Sequence, residues 1–209
     1  MYRSAREAFG WTSEPGHYGN FRPYGLGRQT VRPADRSLEQ VRIYTGIHTP
    51  QRNAAQHGQM QRRMRAWVAE SPEKVQVFPR PLRYSARRPG GEEKGVDVEL
   101  AIDFVRLALD DEFDVAVLAS TDSDLVPPLQ FVADRFPEKD IVTLAWEPLE
   151  GNEADTAAPL DIPHGSVTRV RATKRDFDRI ADKRNFYLSS SDVNIDASRW
   201  QRIKKRFDP

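Results

Sequence analysis

The sequence has 209 residues, of which 38% are hydrophobic and 30% are charged, as expected for a globular chain with one main core. Cysteine is absent, so disulfide scaffolds, cysteine-ligated zinc sites and thiol nucleophiles are excluded. No apolar stretch approaches the roughly 18 residues of a membrane span. Arg3 and Arg6 lie where a signal peptide would be apolar. We therefore predict a cytoplasmic protein that does not engage a membrane.

The net charge of +1 hides a strong segregation of charge along the chain. Residues 97–161 carry 17 acidic and 3 basic side chains, whereas residues 51–96 carry 10 basic and 4 acidic ones. The two ends are also basic, with net charges of +3 over residues 1–50 and +6 over residues 162–209. This pattern suits an acidic metal site that acts on a polyanion, and it is equally consistent with acidic and basic elements that pair within the fold.

Apolar runs rich in β-branched residues predict buried strands, and stretches with helical periodicity lie between them. The predicted strands cover residues 41–47, 75–78, 115–120 and 141–146. The predicted helices cover residues 56–70, 98–109 and 128–136. Strands that alternate with helices of these lengths predict an α/β fold with a mainly parallel sheet.

Residues 10–36 interrupt this alternation, because they are rich in glycine and proline. Their aromatic residues, Trp11, Tyr18, Phe21 and Tyr24, are interleaved with arginines. We interpret the segment as a long insert loop whose aromatic side chains pack back on the core. The alternative is a clamp that stacks on single-stranded nucleic acid.

The C-terminal part of the chain is predicted to form a short helix near Phe177 and to end in a basic run at residues 202–206. We assign residues 1–165 to the main domain and residues 166–209 to a basic, partly helical extension.

Two aspartates follow a predicted buried strand. The strand over residues 115–120 runs into Thr-Asp-Ser-Asp, which places Asp122 and Asp124 at its carboxyl end. Open α/β sheets bind ligands at this edge, and clustered carboxylates supply the oxygen ligands that hard divalent cations prefer. Alternatively, one of these aspartates caps the following helix, and the two roles are compatible.

A glycine-bearing loop over residues 90–95 leads into a helix that begins near Asp97. Asp97 shares the apolar face of this helix, so it either complements the helix dipole or is a ligand aimed at the strand ends. Asp103 lies about 240° around the helix from Asp97. We expect Asp103 to be an exposed partner of Arg106 or Lys94.

The segments from Glu93 to Asp103 and from Val115 to Leu125 together resemble the NYN domain, a PIN-like branch of the nucleases. They read Glu-Lys-Gly-Val-Asp-Val-Glu-Leu-Ala-Ile-Asp and Val-Ala-Val-Leu-Ala-Ser-Thr-Asp-Ser-Asp-Leu. The resemblance extends over roughly residues 1–150. It implies a three-layer sandwich around a parallel sheet of strand order 3-2-1-4-5.

The resemblance also implies a ribonuclease that hydrolyses RNA phosphodiesters with Mg²⁺ or Mn²⁺. By motif match, Asp97, Asp122 and Asp124 would be catalytic metal ligands, and Asp103 would be a weaker candidate. We assign substrate binding to Lys94, Ser120, Thr121, Arg87 and Arg88, and we expect Arg62 and Arg63 to follow the RNA backbone as well. For Lys94, Ser120 and Thr121, ordinary surface solvation is at least as good an explanation.

The sequence departs from the family at its amino end. NYN domains begin with the central strand of the sheet, which ends in Asp-Gly-x-Asn and supplies a further metal ligand. Met1 stands where that motif would end. We expect a misassigned start, so that the native protein holds this strand. Otherwise the sheet requires a partner chain or a second copy to complete it.

Two other functions remain open at this point. One is a non-catalytic RNA-binding or regulatory protein with an incomplete metal site. The other is a manganese-dependent sugar-nucleotide transferase, which fits the Asp-x-Asp sequence but does not explain Glu-Lys-Gly-Val-Asp.

Overall fold

Parallel strands alternate with helices in this protein, as the sequence predicted, and they form an α/β fold. The computed structural model describes residues 1–31, 36–153 and 157–187. The strands in these residues are β1 (Val41–Ile47), β2 (Val75–Pro81), β3 (Arg83–Ser85), β4 (Arg88–Glu92), β5 (Val115–Leu118), β6 (Asp140–Trp146) and β7 (Thr168–Ala172). The α-helices are α1 (Tyr2–Ala8), α2 (Pro23–Thr30), α3 (Pro50–Val68), α4 (Val96–Leu109), α5 (Val126–Arg135) and α6 (Lys174–Ile180).

The parallel strands of the described residues form two sheets rather than one continuous sheet. β1 pairs with β2, whereas β5, β6 and β7 form a sheet in that order. β3 and β4 form a separate antiparallel hairpin. Counted with the family's own first strand as strand 1, β1 and β2 correspond to strands 2 and 3, and β5 and β6 correspond to strands 4 and 5. Both pairings then agree with the order 3-2-1-4-5, and the position of a first strand stays a prediction.

The two parallel sheets face each other across a cleft. Residues 41–45 of β1 and residues 115–119 of β5 and its extension line a common cavity of about 840 Å³. No strand of the described residues pairs with the facing edge of either β1 or β5. The cleft therefore separates two strand edges whose backbone N–H and C=O groups can form further hydrogen bonds.

A cluster of aromatic side chains joins the amino-terminal segment to β6 and α6. Phe9, Trp11, Phe21, Trp146 and Phe177 are all buried and belong to one cluster. Neighbouring rings such as Phe9 and Trp11 meet edge to face, with centroids 5.1 Å apart. The packing confirms the interpretation that aromatic residues of the 10–36 segment fold back on the core. That segment is not all loop, because it contains α2 and a short 3₁₀ helix, Gly16–Gly19.

Two further clusters lie beneath the other helices. α4 and α5 pack on β5 and β6 through residues such as Ala108, Leu129 and Ile141. α3 packs on β1 and β2 through Met64 and Trp67.

The element boundaries differ from the predictions where apolar periodicity is weak. α3 begins at Pro50 rather than at residue 56, because residues 51–55 are polar or small and show no apolar stripe. Pro50 suits the first turn of a helix, which needs no N–H donor there. The hairpin β3–β4 and the strand β7 were not predicted, since their arginine-rich sequences carry few apolar side chains.

The carboxyl-terminal part of the described chain continues the sheet and the core. β7 extends the β5–β6 sheet, and Phe177 and Ile180 of α6 belong to the aromatic cluster. The basic run at residues 202–206 lies outside the described residues, and the boundary at residue 165 stays a prediction. The described residues contain no helix long and apolar enough to cross a membrane.

Replacing Phe177 with alanine is expected to lower the free energy of unfolding by about 3–5 kcal/mol, because it opens a cavity among fully buried rings. Urea denaturation measures the change. Phe131, which is 47% exposed, provides the matched control, and Phe131→Ala is expected to cost about 1 kcal/mol or less. Equal losses in the two variants would contradict the burial of Phe177 within the aromatic cluster.

Candidate functional site

Acidic side chains gather where β5 ends and α4 begins. The backbone leaves β5 at Leu118 and forms a short 3₁₀ helix, Ser123–Leu125, which carries Asp124. α4 starts after Gly95, whose φ of +78° lies in the left-handed region that favours glycine. Asp97 occupies the first turn of α4, where a negative charge also complements the helix dipole.

Asp122 caps the 3₁₀ helix. Its Oδ1 accepts a hydrogen bond from the backbone N–H of Asp124 at 3.0 Å. The hydroxyl of Ser120 in turn accepts a hydrogen bond from the backbone N–H of Asp122 at 3.3 Å. The capping role that the sequence offered for this aspartate is therefore confirmed. The cap uses one carboxylate oxygen and holds the two aspartates in a defined arrangement.

The electrostatics of Asp97 show that the carboxylates influence one another. Although Asp97 is an exposed residue, partial desolvation of its carboxylate is the largest cause that raises its pKa above the ordinary value, and the negative charge of Asp122 is the next. The charges of Glu93 and Asp124 act in the same direction, while a backbone hydrogen bond opposes them. Like charges this close disfavour ionisation, and a bound cation would relieve that repulsion.

Glu93 is a member of this acidic cluster that sequence reasoning did not assign to the site. Its Oε1 accepts a hydrogen bond from the backbone N–H of Gly46 at 2.7 Å, which fastens the start of α4 to the end of β1. Glu93 also acts electrostatically on the amino group of Met1. Glu93 is the first residue of the Glu-Lys-Gly-Val-Asp motif, and this position is the sequence feature that could have assigned it to the site. We refer to Glu93, Asp97, Asp122 and Asp124 as the acidic cluster.

Asp103 lies apart from the acidic cluster, and the prediction that it is exposed is wrong. Its side chain is 13% exposed and forms ion pairs with Arg42 at 2.6 Å and with Arg106 at 2.9 Å. The hydroxyl of Tyr44 donates a hydrogen bond to the same carboxylate. The pairing with Arg106 was predicted, whereas the two partners on β1 were not. Both oxygens are engaged, which leaves this carboxylate poorly suited to bind a metal.

The partners of Asp103 control its titration. Burial acts to raise the pKa of Asp103, but hydrogen bonds from Tyr44 and Arg106 and the charge of Arg42 outweigh it and hold the pKa below its ordinary value. Burial and the hydrogen bond with Asp103 raise the pKa of Tyr44. The Asp103 carboxylate is therefore ionised and the Tyr44 hydroxyl is protonated at neutral pH.

The predicted substrate-binding residues fall into two groups. Arg87, Arg88 and Lys94 are exposed, and Arg88 forms an ion pair with Glu92 at 3.1 Å across the hairpin β3–β4. Ser120 and Thr121 lie half-buried between β5 and the acidic cluster.

Two other arginines, both on α3, differ in their surroundings. Arg63 is buried, so the expectation that it follows the RNA backbone is wrong. Arg62 is half-buried and donates two hydrogen bonds to the carbonyl oxygen of Phe186 at 2.8 and 2.6 Å, and its contact with an RNA backbone stays a prediction.

The donor chemistry of the acidic cluster fits a hard divalent cation, because every member offers carboxylate oxygens. Within the described ranges, however, no group of three acidic or histidine side chains is already arranged to hold a metal ion.

A family of known domains matches more than half of this chain. The family model described as the NYN domain matches residues 17–148, more than half of the chain, and this range contains the whole acidic cluster. The chain belongs to the NYN domain family. This membership confirms the resemblance and places the chain among the PIN-like, nuclease-like domains, which generally act on RNA. Comparisons with curated proteins and with solved structures find no match.

Replacing Asp97 with asparagine is expected to raise the melting temperature of the metal-free NYN protein at neutral pH. A raised pKa means that the ionised carboxylate is less favourable in the folded chain than in the unfolded chain. This destabilisation is complete above the folded pKa and is lost as the pH falls below the unfolded value of about 3.9. Melting curves in EDTA across this pH range test the prediction. The exposed Glu138 supplies the control variant Glu138→Gln, and a lower melting temperature for Asp97→Asn at neutral pH would contradict the electrostatic account.

Replacing Asp103 with asparagine is expected to lower the free energy of unfolding at neutral pH by about 2 kcal/mol, since charged hydrogen bonds are lost. Because the folded pKa of Asp103 is depressed, its stabilisation is present above the unfolded pKa and is lost as the pH falls through the folded pKa. Urea denaturation at neutral and acidic pH measures this. Asp110 pairs with the same Arg106 but is 51% exposed, so Asp110→Asn is expected to change stability by about 0.5 kcal/mol or less.

Proposed function

We propose that this NYN protein is a ribonuclease that hydrolyses RNA phosphodiesters with a divalent metal ion, Mg²⁺ or Mn²⁺. The observation that carries the proposal is the acidic cluster at the end of β5 and the start of α4, in a chain of a nuclease-like family. This is the edge of a parallel sheet at which α/β folds bind their ligands. A cytoplasmic location stays a prediction.

Asp97, Asp122 and Asp124 are the proposed ligands, and Glu93 is a fourth candidate. Mutual repulsion among these carboxylates, which helps to raise the pKa of Asp97, favours uptake of a cation. Such an ion, when bound, lowers the pKa of a coordinated water toward neutrality and neutralises charge on the phosphate. The hydrogen bond from Asp124 to Asp122 keeps the two aspartates together.

Basic side chains on the hairpin side of the acidic cluster are proposed to bind the RNA backbone. Arg87 and Arg88 are exposed on the hairpin, and Lys94 lies in the loop between Glu93 and Asp97. Their positive charges would offset the repulsion between the acidic cluster and a polyanion. Ser120 and Thr121 are proposed to donate hydrogen bonds from the strand end to a phosphate.

A second candidate is an RNA-binding protein that does not cleave. The observation that favours it is the lack, in the described part of the chain, of three acidic or histidine groups ready to hold a metal ion. In this case the basic side chains bind RNA in a salt-sensitive manner and no metal supports hydrolysis. The third candidate, a sugar-nucleotide transferase, draws no support from membership of the NYN family.

The charge of Asp122 is expected to be essential for cleavage. Asp122→Asn removes this charge and preserves the local structure, because an amide oxygen can also accept the capping hydrogen bond from the backbone of Asp124. With Mn²⁺ and end-labelled single- and double-stranded RNA, we expect Asp122→Asn and Asp97→Asn to lose about a hundredfold or more in cleavage rate. Gel electrophoresis of the products measures the rate.

Glu138→Gln, in an exposed position, is expected to cleave at the wild-type rate, and EDTA is expected to abolish cleavage by the wild-type protein. Full activity of Asp122→Asn would show that Asp122 is not part of the catalytic site. If the wild-type protein binds RNA in a salt-sensitive manner but does not cleave it with any divalent metal, the function is that of an RNA-binding protein and the nuclease proposal is wrong.

A further inference from the structure

A small pocket lies at the carboxyl end of β1, next to the acidic cluster. Its volume is about 220 Å³, and its walls come from that strand end, from α1 and α3 and from residues 186–187. Gly46 lines the pocket, and its backbone N–H donates the 2.7 Å hydrogen bond to Glu93 of the acidic cluster. The pocket and the acidic cluster therefore meet at one residue. We refer to the pocket lined by Tyr2, Gly46 and Arg63 as the Arg63 pocket.

Arg63 is a buried cation without a counter-charge. It is 7% exposed, and its guanidinium lies over the rings of Tyr2 and Trp67, at 4.4 and 4.8 Å from their centroids. Among the residues that the structure describes, its Nε has no hydrogen-bond partner and its guanidinium forms no ion pair. Burial lowers the pKa of Arg63 to about 10, so the side chain is still positively charged at neutral pH. A buried charge in this state is unfavourable until an anion pairs with it.

The carboxylate that acts on Arg63 is already engaged elsewhere. Asp182 influences Arg63 electrostatically, but it is 4% exposed and forms an ion pair with Arg184 at 2.7 Å. Arg184 also donates a hydrogen bond to the other oxygen of Asp182 at 2.8 Å. Asp182 therefore does not neutralise Arg63, and a ligand can supply the anion. A guanidinium binds carboxylates and phosphates through two parallel N–H donors.

The rest of the lining fits a phosphate that carries a nucleoside. Gln56 and Gln59 of α3 offer amide N–H donors. Tyr187, which is 54% exposed, offers a ring on which a base can stack. The larger cleft, which Arg63 also borders, has walls of apolar side chains such as Phe104 instead. The polar groups that a nucleotide requires are therefore on the side of the Arg63 pocket.

Size and charge favour a terminal phosphate over an internal one. The volume of about 220 Å³ is below the roughly 300 Å³ at which typical small-molecule sites begin, so the pocket admits one nucleotide rather than a length of chain. An internal phosphodiester has a nucleotide on each side, whereas a terminal phosphate has one on a single side. A phosphomonoester also carries a charge of about −1.5 to −2 at neutral pH, which exceeds the single charge of a diester and suits a buried cation.

We propose that the Arg63 pocket binds the terminal phosphate of an RNA strand, with the guanidinium of Arg63 as its partner. The bound end then lies beside Gly46 and Glu93, where the adjoining nucleotides can reach the acidic cluster. This inference rests on the proposed action on RNA, in either its cleaving or its purely binding form. A 5′-phosphate and a 3′-phosphate share this chemistry, and the test separates them.

Direct binding in EDTA tests the proposal without cleavage. The full chain is titrated into short single-stranded RNA with an internal fluorophore and a 5′-phosphate, a 3′-phosphate or hydroxyls at both ends, and fluorescence anisotropy reports binding. One of the phosphorylated forms is expected to bind about tenfold more tightly than the hydroxyl form. Arg63→Met is expected to abolish this preference, and Arg65→Met, which alters an exposed arginine of the same helix, is expected to retain it.

Equal affinity of the three RNAs for the wild-type protein, absence of binding by all three, or a preference that survives in Arg63→Met would overturn the proposal. A free nucleoside monophosphate that binds as tightly as the phosphorylated RNA would show that the pocket takes free nucleotides, and would overturn the assignment to an RNA end. If Arg63→Met does not fold, hydrogen exchange of the wild-type protein decides. Slower exchange at residues 46–48 with phosphorylated RNA alone supports the proposal, and equal exchange with the hydroxyl form contradicts it.

Failure of this proposal and failure of the nuclease proposal give different results. A preference for a terminal phosphate without metal-dependent cleavage would exclude the nuclease and keep the role of the Arg63 pocket. Metal-dependent cleavage without this preference would exclude that role and keep the nuclease.

Discussion

The attachment of α4 to β1 through Asp103 is the interaction on which the arrangement of the site depends. α4 packs its apolar face on α5 and β5, while Asp103 reaches across to Arg42 and Tyr44 of β1. One helix thus holds both parallel sheets at a set separation. As a consequence, the first turn of α4 brings Asp97 to the end of β5, and Glu93 meets the end of β1.

The acidic side chains of residues 97–161 fall into two sets in the fold. Some acidic side chains of residues 97–161 pair with basic partners, as Asp103 does with Arg42 and Asp161 does with Arg169. Others, in the acidic cluster, lie close to further carboxylates instead. The interpretation of paired acidic and basic elements therefore holds for the first set. The second set has the mutual repulsion that is typical of a ligand-binding site, and the metal site itself stays a proposal.

The cleft and the acidic cluster are physically linked. The acidic cluster is assembled from the end of β1, the end of β5 and the start of α4, so its geometry depends on how firmly the two sheets are held together.

The sequence by itself determined the strands β1, β2, β5 and β6, the helices α3, α4 and α5 and the placement of Asp122 and Asp124 after β5, because strand and helix periodicities are local and strand ends follow from them. It also identified the family through motifs that lie within single segments. The tertiary structure alone decided that Asp103 turns to Tyr44, 59 residues away, and that Glu93 fastens to Gly46. It also decided between the two interpretations of the aromatic residues before α2, which enter the core. Such contacts depend on how distant segments pack, and local patterns carry no information on which distant partner satisfies a buried group.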